Sequence, residues 1–201
     1  DSDGTLYGQV ITVSGNVITT NTPTQISSRT GFSVISEQID TNSVLVNYVV
    51  GTANYSRVIT VSGTTITVGA ENTLTAQTSG TCGGLAKITT TKFLWSTTTA
   101  GTNINTYFLT ISGTTVTNGS SLTTSAIADN RSRIPIVLIG STMALVSGQS
   151  TNPTVSLLDI TGATPTLIQS TAMVGGNTNY QSSLVRMKPW TYLWSQDNGN
   201  T

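Results

Sequence analysis

Apolar and polar residues alternate in short runs along nearly the whole chain, and the clearest run is residues 58–68, VITVSGTTITV. Strict alternation of this kind predicts a half-buried β-strand, and two such runs hinged on a glycine predict a hairpin. Close relatives of the segment lie at residues 10–20 (VITVSGNVITT), 108–118 (FLTISGTTVTN) and 157–167 (LLDITGATPTL). Their central glycines, Gly15, Gly63, Gly113 and Gly162, are 48, 50 and 49 residues apart, a period that marks a repeat array. The chain therefore divides into four copies of one unit, about residues 1–50, 51–100, 101–149 and 150–201, in a single domain.

Within each hairpin a turn centred on the glycine and the next residue sets Val13 opposite Ile18, Val61 opposite Ile66 and Ile111 opposite Val116. Glycine in the first central position suits a type II′ turn, because only glycine reaches that positive φ cheaply. The other face carries Thr12, Thr60, Thr110 and Asp159, so the hairpins should be half-exposed. In the fourth copy Pro165 falls in the second strand, which should then be an edge, since proline cannot donate a ladder bond.

A second kind of strand pair lies between the hairpins: residues 32–39 with 44–50, 84–88 with 93–95, 134–139 with 143–146, and 184–187 with 192–194. Aligning Leu45, Leu94, Leu145 and Leu193 places Val44 and Val46, Phe93 and Trp95, Ala144 and Val146, and Tyr192 and Trp194 on the opposite face. Apolar residues on both faces mark strands sandwiched between two layers. Each unit thus contains two enclosed strands followed by two more polar ones, the gradient expected across a blade of a β-propeller. Blades are expected over residues 32–69, 84–119 and 134–167, out of phase with the sequence repeat. Residues 10–20 and 184–194 are expected to complete a fourth blade jointly if the chain is whole. An all-β sandwich or another β-repeat array is the alternative, although a sandwich requires no such period and a tight solenoid favours a shorter one. No segment has the 3.6-residue apolar periodicity of a helix.

Only 8% of residues are charged, the net charge is zero, and Ser and Thr make up about a third of the sequence. Hydroxyls keep the surface wet, and neither a basic nucleic-acid surface nor an acidic tail is expected. The 36% of apolar residues, arranged in alternating runs, argue against a disordered chain. Cys82 is the sole cysteine, so an intramolecular disulfide is impossible. No apolar stretch approaches the length of a membrane helix, and the first residues lack the regions of a signal peptide. Residue 1 is aspartate, which fits either a processed start or an excerpt of a longer chain.

The chain lacks histidine, which removes Ser-His-Asp triads, histidine-assisted cysteine catalysis and histidine metal ligation. A glycosidase-type carboxylate pair would have to come from Asp1, Asp3, Glu37, Asp40, Glu71, Asp129, Asp159 and Asp197, most of them in loops. Asp159 stands where the other copies have threonine and is expected to be an exposed strand residue near Arg186 or Lys188. Asp1 and Asp3 precede Gly4 in a pattern that can offer oxygens to calcium, but the equivalent stretches of the other copies lack the acids, which favours a solvated turn. Tyr48, Trp95, Trp190, Tyr192 and Trp194 suit either carbohydrate stacking or packing between layers, and the alternation of the last three favours packing. Asn54, Asn118 and Asn130 match the glycosylation acceptor pattern, as chance predicts in so hydroxyl-rich a chain. No catalytic residue, metal site or cofactor is expected.

The unit GTANYSRVITVSGTTITVG, followed by a pair such as GLAKITTTKFLWS, resembles the propeller-type repeats of structural proteins of tailed bacteriophages, such as tail fibres and baseplate proteins. The likeness covers nearly the whole chain and departs most in the fourth copy, at Asp159 and Pro165. It implies a non-enzymatic virion component, located in the virion or outside the cell, that presents loops to a host surface or acts as a spacer; a polysaccharide-degrading propeller enzyme using two loop carboxylates, or a secreted bacterial adhesin or surface protein, is the alternative. The partners it implies are other virion proteins, further copies of the chain and a host-surface glycan, with no nucleic acid and no membrane insertion. Binding is expected in the connections at residues 21–31 and 120–133 instead of the hairpins.

Overall fold

A computed structural model describes residues 5–30, 32–74, 83–99, 103–126, 134–148, 154–173 and 182–196, and among these every regular element is a β-strand. The first unit holds β1 (Leu6–Gly8), β2 (Ile11–Ser14), β3 (Val17–Thr20) and β4 (Thr24–Ser27), paired β1 with β4 and β2 with β3. Three antiparallel meanders follow. The first comprises β5 (Phe32–Gln38), β6 (Ser43–Val50), β7 (Ala53–Ser62) and β8 (Thr65–Val68), with β9 (Asn72–Thr73) returning to pair with β7. The second comprises β10 (Gly84–Lys87), β11 (Lys92–Thr99), β12 (Asn103–Ser112) and β13 (Thr115–Ala126). The third comprises β14 (Ile136–Ile139), β15 (Met143–Ser147), β16 (Thr154–Asp159) and β17 (Thr166–Ala172). β18 (Ser182–Lys188) and β19 (Thr191–Gln196) end the chain's regular structure as a two-stranded ladder.

The glycine hairpins have the expected register, with Val13 opposite Ile18, Val61 opposite Ile66 and Ile111 opposite Val116. Gly15, Gly63 and Gly113 sit at φ +59°, +59° and +61°, while the residues after them do not take positive φ, which is the type II′ pattern. The fourth copy departs from it. Gly162 is not in the left-handed region, and residues 161–164 form a wider bend. Pro165 is buried just before β17, so it costs no ladder bond. β17 is nevertheless the edge of its sheet.

The layers pack in chain order through three apolar clusters. Leu6 and Ile26 of the first unit lie against Val46, Tyr48 and Ile59 of the first meander. Leu45 and Val58, on the far face of that meander, join Phe93, Trp95, Leu109 and Ile111 of the second. Leu94, Ile104 and Phe108 then meet Ala144, Val146, Leu158 and Ile160 of the third. The central strands β6 and β11 are accordingly buried on both faces, as their sequence requires. β19 is not: Leu193 is exposed, and no described strand covers that face. Hairpin β2–β3 and ladder β18–β19 are separate sheets, so the expected joint fourth sheet is not among the pairings of the described residues.

A feature absent from the sequence reading is the continuation of the outermost strand. In the first unit and the first meander it breaks after the hairpin and resumes as β4 and β9, each pairing with the strand that leads into the hairpin. In the second meander it runs on through a bulge opposite Tyr107 and Leu109. Thus Thr24–Ser27, placed by sequence in a connection, is a strand, and residues 120–126, expected as a loop, belong to β13. Residues 31 and 127–133 of those two connections lie outside the described residues. A Thr- and Ser-rich strand open to solvent on one face has no apolar alternation by which to recognise it.

Candidate functional site

The break in the outer strand of the first meander holds the densest group of charges among the described residues. Glu71 lies between β8 and β9, Arg57 projects from β7, and Arg29 follows β4. Arg29 donates to Glu71 Oε1 through Nη2 at 2.8 Å and Nε at 3.1 Å. Arg57 Nη2 reaches Oε2 at 3.3 Å, and the Tyr48 hydroxyl donates to the same oxygen. Arg57 also donates to the Tyr48 hydroxyl at 3.1 Å and to the Gly69 carbonyl at 2.7 Å. The Arg29 guanidinium stacks 4.1 Å over the Tyr55 ring, which itself stacks on Tyr48 with centroids 5.7 Å apart.

The hydrogen bond from Arg29, helped by Tyr48 and by the charge of Arg57, holds the Glu71 carboxyl below its ordinary range against an opposing desolvation. Burial, with the Glu71 contact, raises the Tyr48 phenol. Both carboxylate oxygens of Glu71 are thus engaged, Oε1 by Arg29 and Oε2 by Tyr48 and Arg57. Its arrangement is a clamp that ties the first unit to the first meander, across 42 residues of sequence. Because the folded-state pKa is depressed, the stability Glu71 contributes is complete above the ordinary carboxylate range and is lost as pH falls through the folded value. Glu71→Gln is expected to lower unfolding free energy by about 1 kcal/mol at pH 7 and by progressively less as pH falls through the folded-state value of Glu71. Urea midpoints of both proteins over a descending pH series check this.

The remaining described acids do not converge on one another. Asp40 accepts the Asn42 N–H at 2.8 Å, and that bond, with Ser43, lowers its pKa. Asp159 accepts the N–H and hydroxyl of Thr161 at 2.8 and 2.7 Å, and those bonds lower its pKa. It closes its own turn at the end of β16, where it is half-exposed, and among the described residues it forms no salt bridge. Glu37 is half-buried, and desolvation raises its pKa against the pull of Lys87. No group of three His, Cys, Asp or Glu among the described residues converges as a metal site. Asp1, Asp3, Cys82, Asp129, Asn130 and Asp197 lie outside the described residues.

The aromatic residues divide among three environments. Tyr48 and Trp95 are fully buried core residues, Trp95 stacking on Tyr107 with centroids 5.2 Å apart. Trp190 is exposed in the β18–β19 turn, at φ +62°. Tyr192 and Trp194 line a groove of about 310 Å³ between the third meander and the β18–β19 ladder. Its other walls are Leu145, Val155 and Leu157 from the meander and Leu184 from the ladder, with Gln169 and Thr171 at the outer side. The Trp194 indole donates to Ser147 Oγ at 3.0 Å, whereas the buried Tyr192 hydroxyl finds no partner among the described residues. This lining, mostly apolar and without a charged side chain among its described residues, suits apolar side chains or the flat face of a ring.

No family model, curated protein or solved structure matches the chain. The site must therefore be argued from its own residues. Sequence reasoning passed over three that matter here: Arg29, Arg57 and Lys92. Lys92 bridges two layers, its ammonium donating to the carbonyls of Ile160 and Gly162 at 3.3 and 3.2 Å and lying 3.7 Å from the centre of the Phe108 ring. In a chain with only 8% charged residues, a cation within a strand is itself the signal that could have found Arg57 and Lys92. The carbonyls that Lys92 reaches are 68 and 70 residues away and give no such signal. Of the glycosylation matches, Asn54 is buried in β7, whereas Asn118 is half-exposed.

Proposed function

We propose that this chain is a non-enzymatic structural and binding unit of an extracellular assembly of the virion-appendage type, tail fibre or baseplate, and that its sheets are an arc of a β-propeller. The observation that carries the reading is the contrast between a hydroxyl-rich, nearly uncharged molecule and the two apolar faces left open at the ends of its layer sequence. Ile11, Val13 and Ile18 are exposed at one end and Val185, Met187 and Leu193 at the other. Patches of that kind mark surfaces meant to be covered by other protein. The propeller reading is supported by the first strands of successive layers, β5, β10, β14 and β18, which neighbour one another in chain order as the innermost strands of blades do. The virion assignment is supported by the resemblance of the SGTTIT-type hairpins to phage structural repeats.

Antibody raised against the chain is expected to decorate the tail or its fibres in electron micrographs of purified particles. Absence of the protein from particles sinks the virion reading. The host-contact part is separate. Host cells stripped of surface polysaccharide are expected to adsorb less of the protein, and unchanged adsorption leaves the spacer role alone.

A further inference from the structure

The strands described at the two ends of the chain correspond to complementary parts of the four-stranded repeat. In every meander the second strand pairs with the third in one register, Leu45 opposite Val58, Leu94 opposite Phe108 and Leu145 opposite Leu157. Among the described residues, ladder β18–β19 supplies a first and a second strand without a third. The N-terminal unit supplies a third strand, interrupted as β1 and β2, and a fourth, interrupted as β3 and β4, without a second among the described residues. Carrying the shared register across the repeat sets Leu193 opposite Val10, Tyr192 opposite Ile11 and Thr191 opposite Thr12.

Burial follows the same pattern. Ile11, Val13 and Ile18 are 64%, 65% and 69% exposed, where the corresponding Leu109, Ile111 and Val116 of the second meander are 0%, 7% and 3% exposed. In the second and third meanders these positions face the preceding layer, whereas in the first unit no described layer covers them. At the other end the groove over Leu145, Val155 and Leu157 lies where the layer-facing side chains of a third strand would rest. The outer edge of β19 is likewise unpaired among the described strands.

We propose that the N-terminal unit of a second copy of this chain docks on the C-terminal end. Strands β1 and β2 of the incoming copy extend the sheet from β19, and Ile11 and Val13 enter the groove. Leu193 then faces the first meander of the incoming copy. The second copy is preferred to the chain's own N-terminus because that unit is held on the first meander by Leu6, Ile26 and the Arg29–Glu71 pair while both end faces stay open in the same molecule. Such a contact is head-to-tail, so it closes into a ring of copies or propagates as a filament. The inference does not depend on the virion assignment.

Sedimentation velocity of the full chain over a concentration series is expected to show association beyond the monomer. Ile11→Asp spoils the head and Leu193→Asp the tail, and since both side chains are exposed in the single chain, circular dichroism is expected to stay unchanged. Each variant alone is expected to self-associate about 100-fold more weakly. An equimolar mixture retains one good head and one good tail and is expected to stop at the dimer. In a Cys82→Ser background, a copy carrying Thr12→Cys and another carrying Thr191→Cys are expected to form a disulfide-linked heterodimer. A wild-type chain that stays monomeric at every concentration overturns the proposal. So does a disulfide formed within one chain carrying both cysteines, which would mean closure on its own ends. Undiminished association of either variant overturns it by placing the contact elsewhere.

Discussion

Replacing Trp95 with alanine is expected to lower the unfolding free energy by about 3–5 kcal/mol, the range for deleting a large buried aromatic. Trp95 has no exposed surface, lies in the cluster between the first and second meanders, and sits directly across the ladder from Tyr107. The two rings are inclined by 28°, an offset stack that adds about 0.5–1.5 kcal/mol beyond burial. β11 is covered on both faces, so the void left by the indole can close only by moving one layer against the next, which close packing resists. Denaturant unfolding with an unchanged slope would place the loss in the folded state. Trp190→Ala is the control: that ring is exposed in a turn, and its loss is expected to stay within about 0.5 kcal/mol. Equal effects at the two positions would mean that the layers are not packed as described.

The second large effect is expected at Gly84, the first residue of β10. A Cβ there would lie 1.9 Å from the Ile134 carbonyl oxygen and 3.1 Å from its carbon. Both contacts are backbone, so no side chain can swing away, and β10 would have to separate from the segment leading into β14. Gly84→Ala is expected to cost at least about 3 kcal/mol, at or beyond the upper end of typical overpacking losses. Gly119→Ala tests whether the cause is the close approach or merely the loss of a glycine. At Gly119 the nearest atom is 3.9 Å from the added Cβ, and the expected change is below about 1 kcal/mol. Thermal or urea unfolding of both variants distinguishes them. A tolerated alanine at position 84 would refute the close contact between the inner strands.

Much of the local structure was legible from alternation. Val61 and Ile66 fall opposite each other because a two-residue turn and a period of two leave one register that keeps both on the apolar face. The enclosure of β6 and β11 was legible for a related reason: Leu45 beside Val46, and Leu94 beside Trp95, place apolar groups on both faces. The outer-strand continuations were not, because Thr24–Ser27 and residues 120–126 carry hydroxyl and small residues whose strand state depends on the neighbour they pair with. The clamp at Glu71 was not legible either, since Arg29 is 42 residues away and ordinary in its own surroundings.

The repeat, with its glycine at φ near +60° in three of the four copies, is written into the chain, because turn geometry and a period of two act over a few residues. The fate of each apolar face is not. Ile11 and Leu109 occupy the same place in the repeat and carry the same kind of side chain, yet one is solvent-exposed and the other buried. Only the stacking of whole sheets decides between them, since burial belongs to the layer opposite and not to the residue itself.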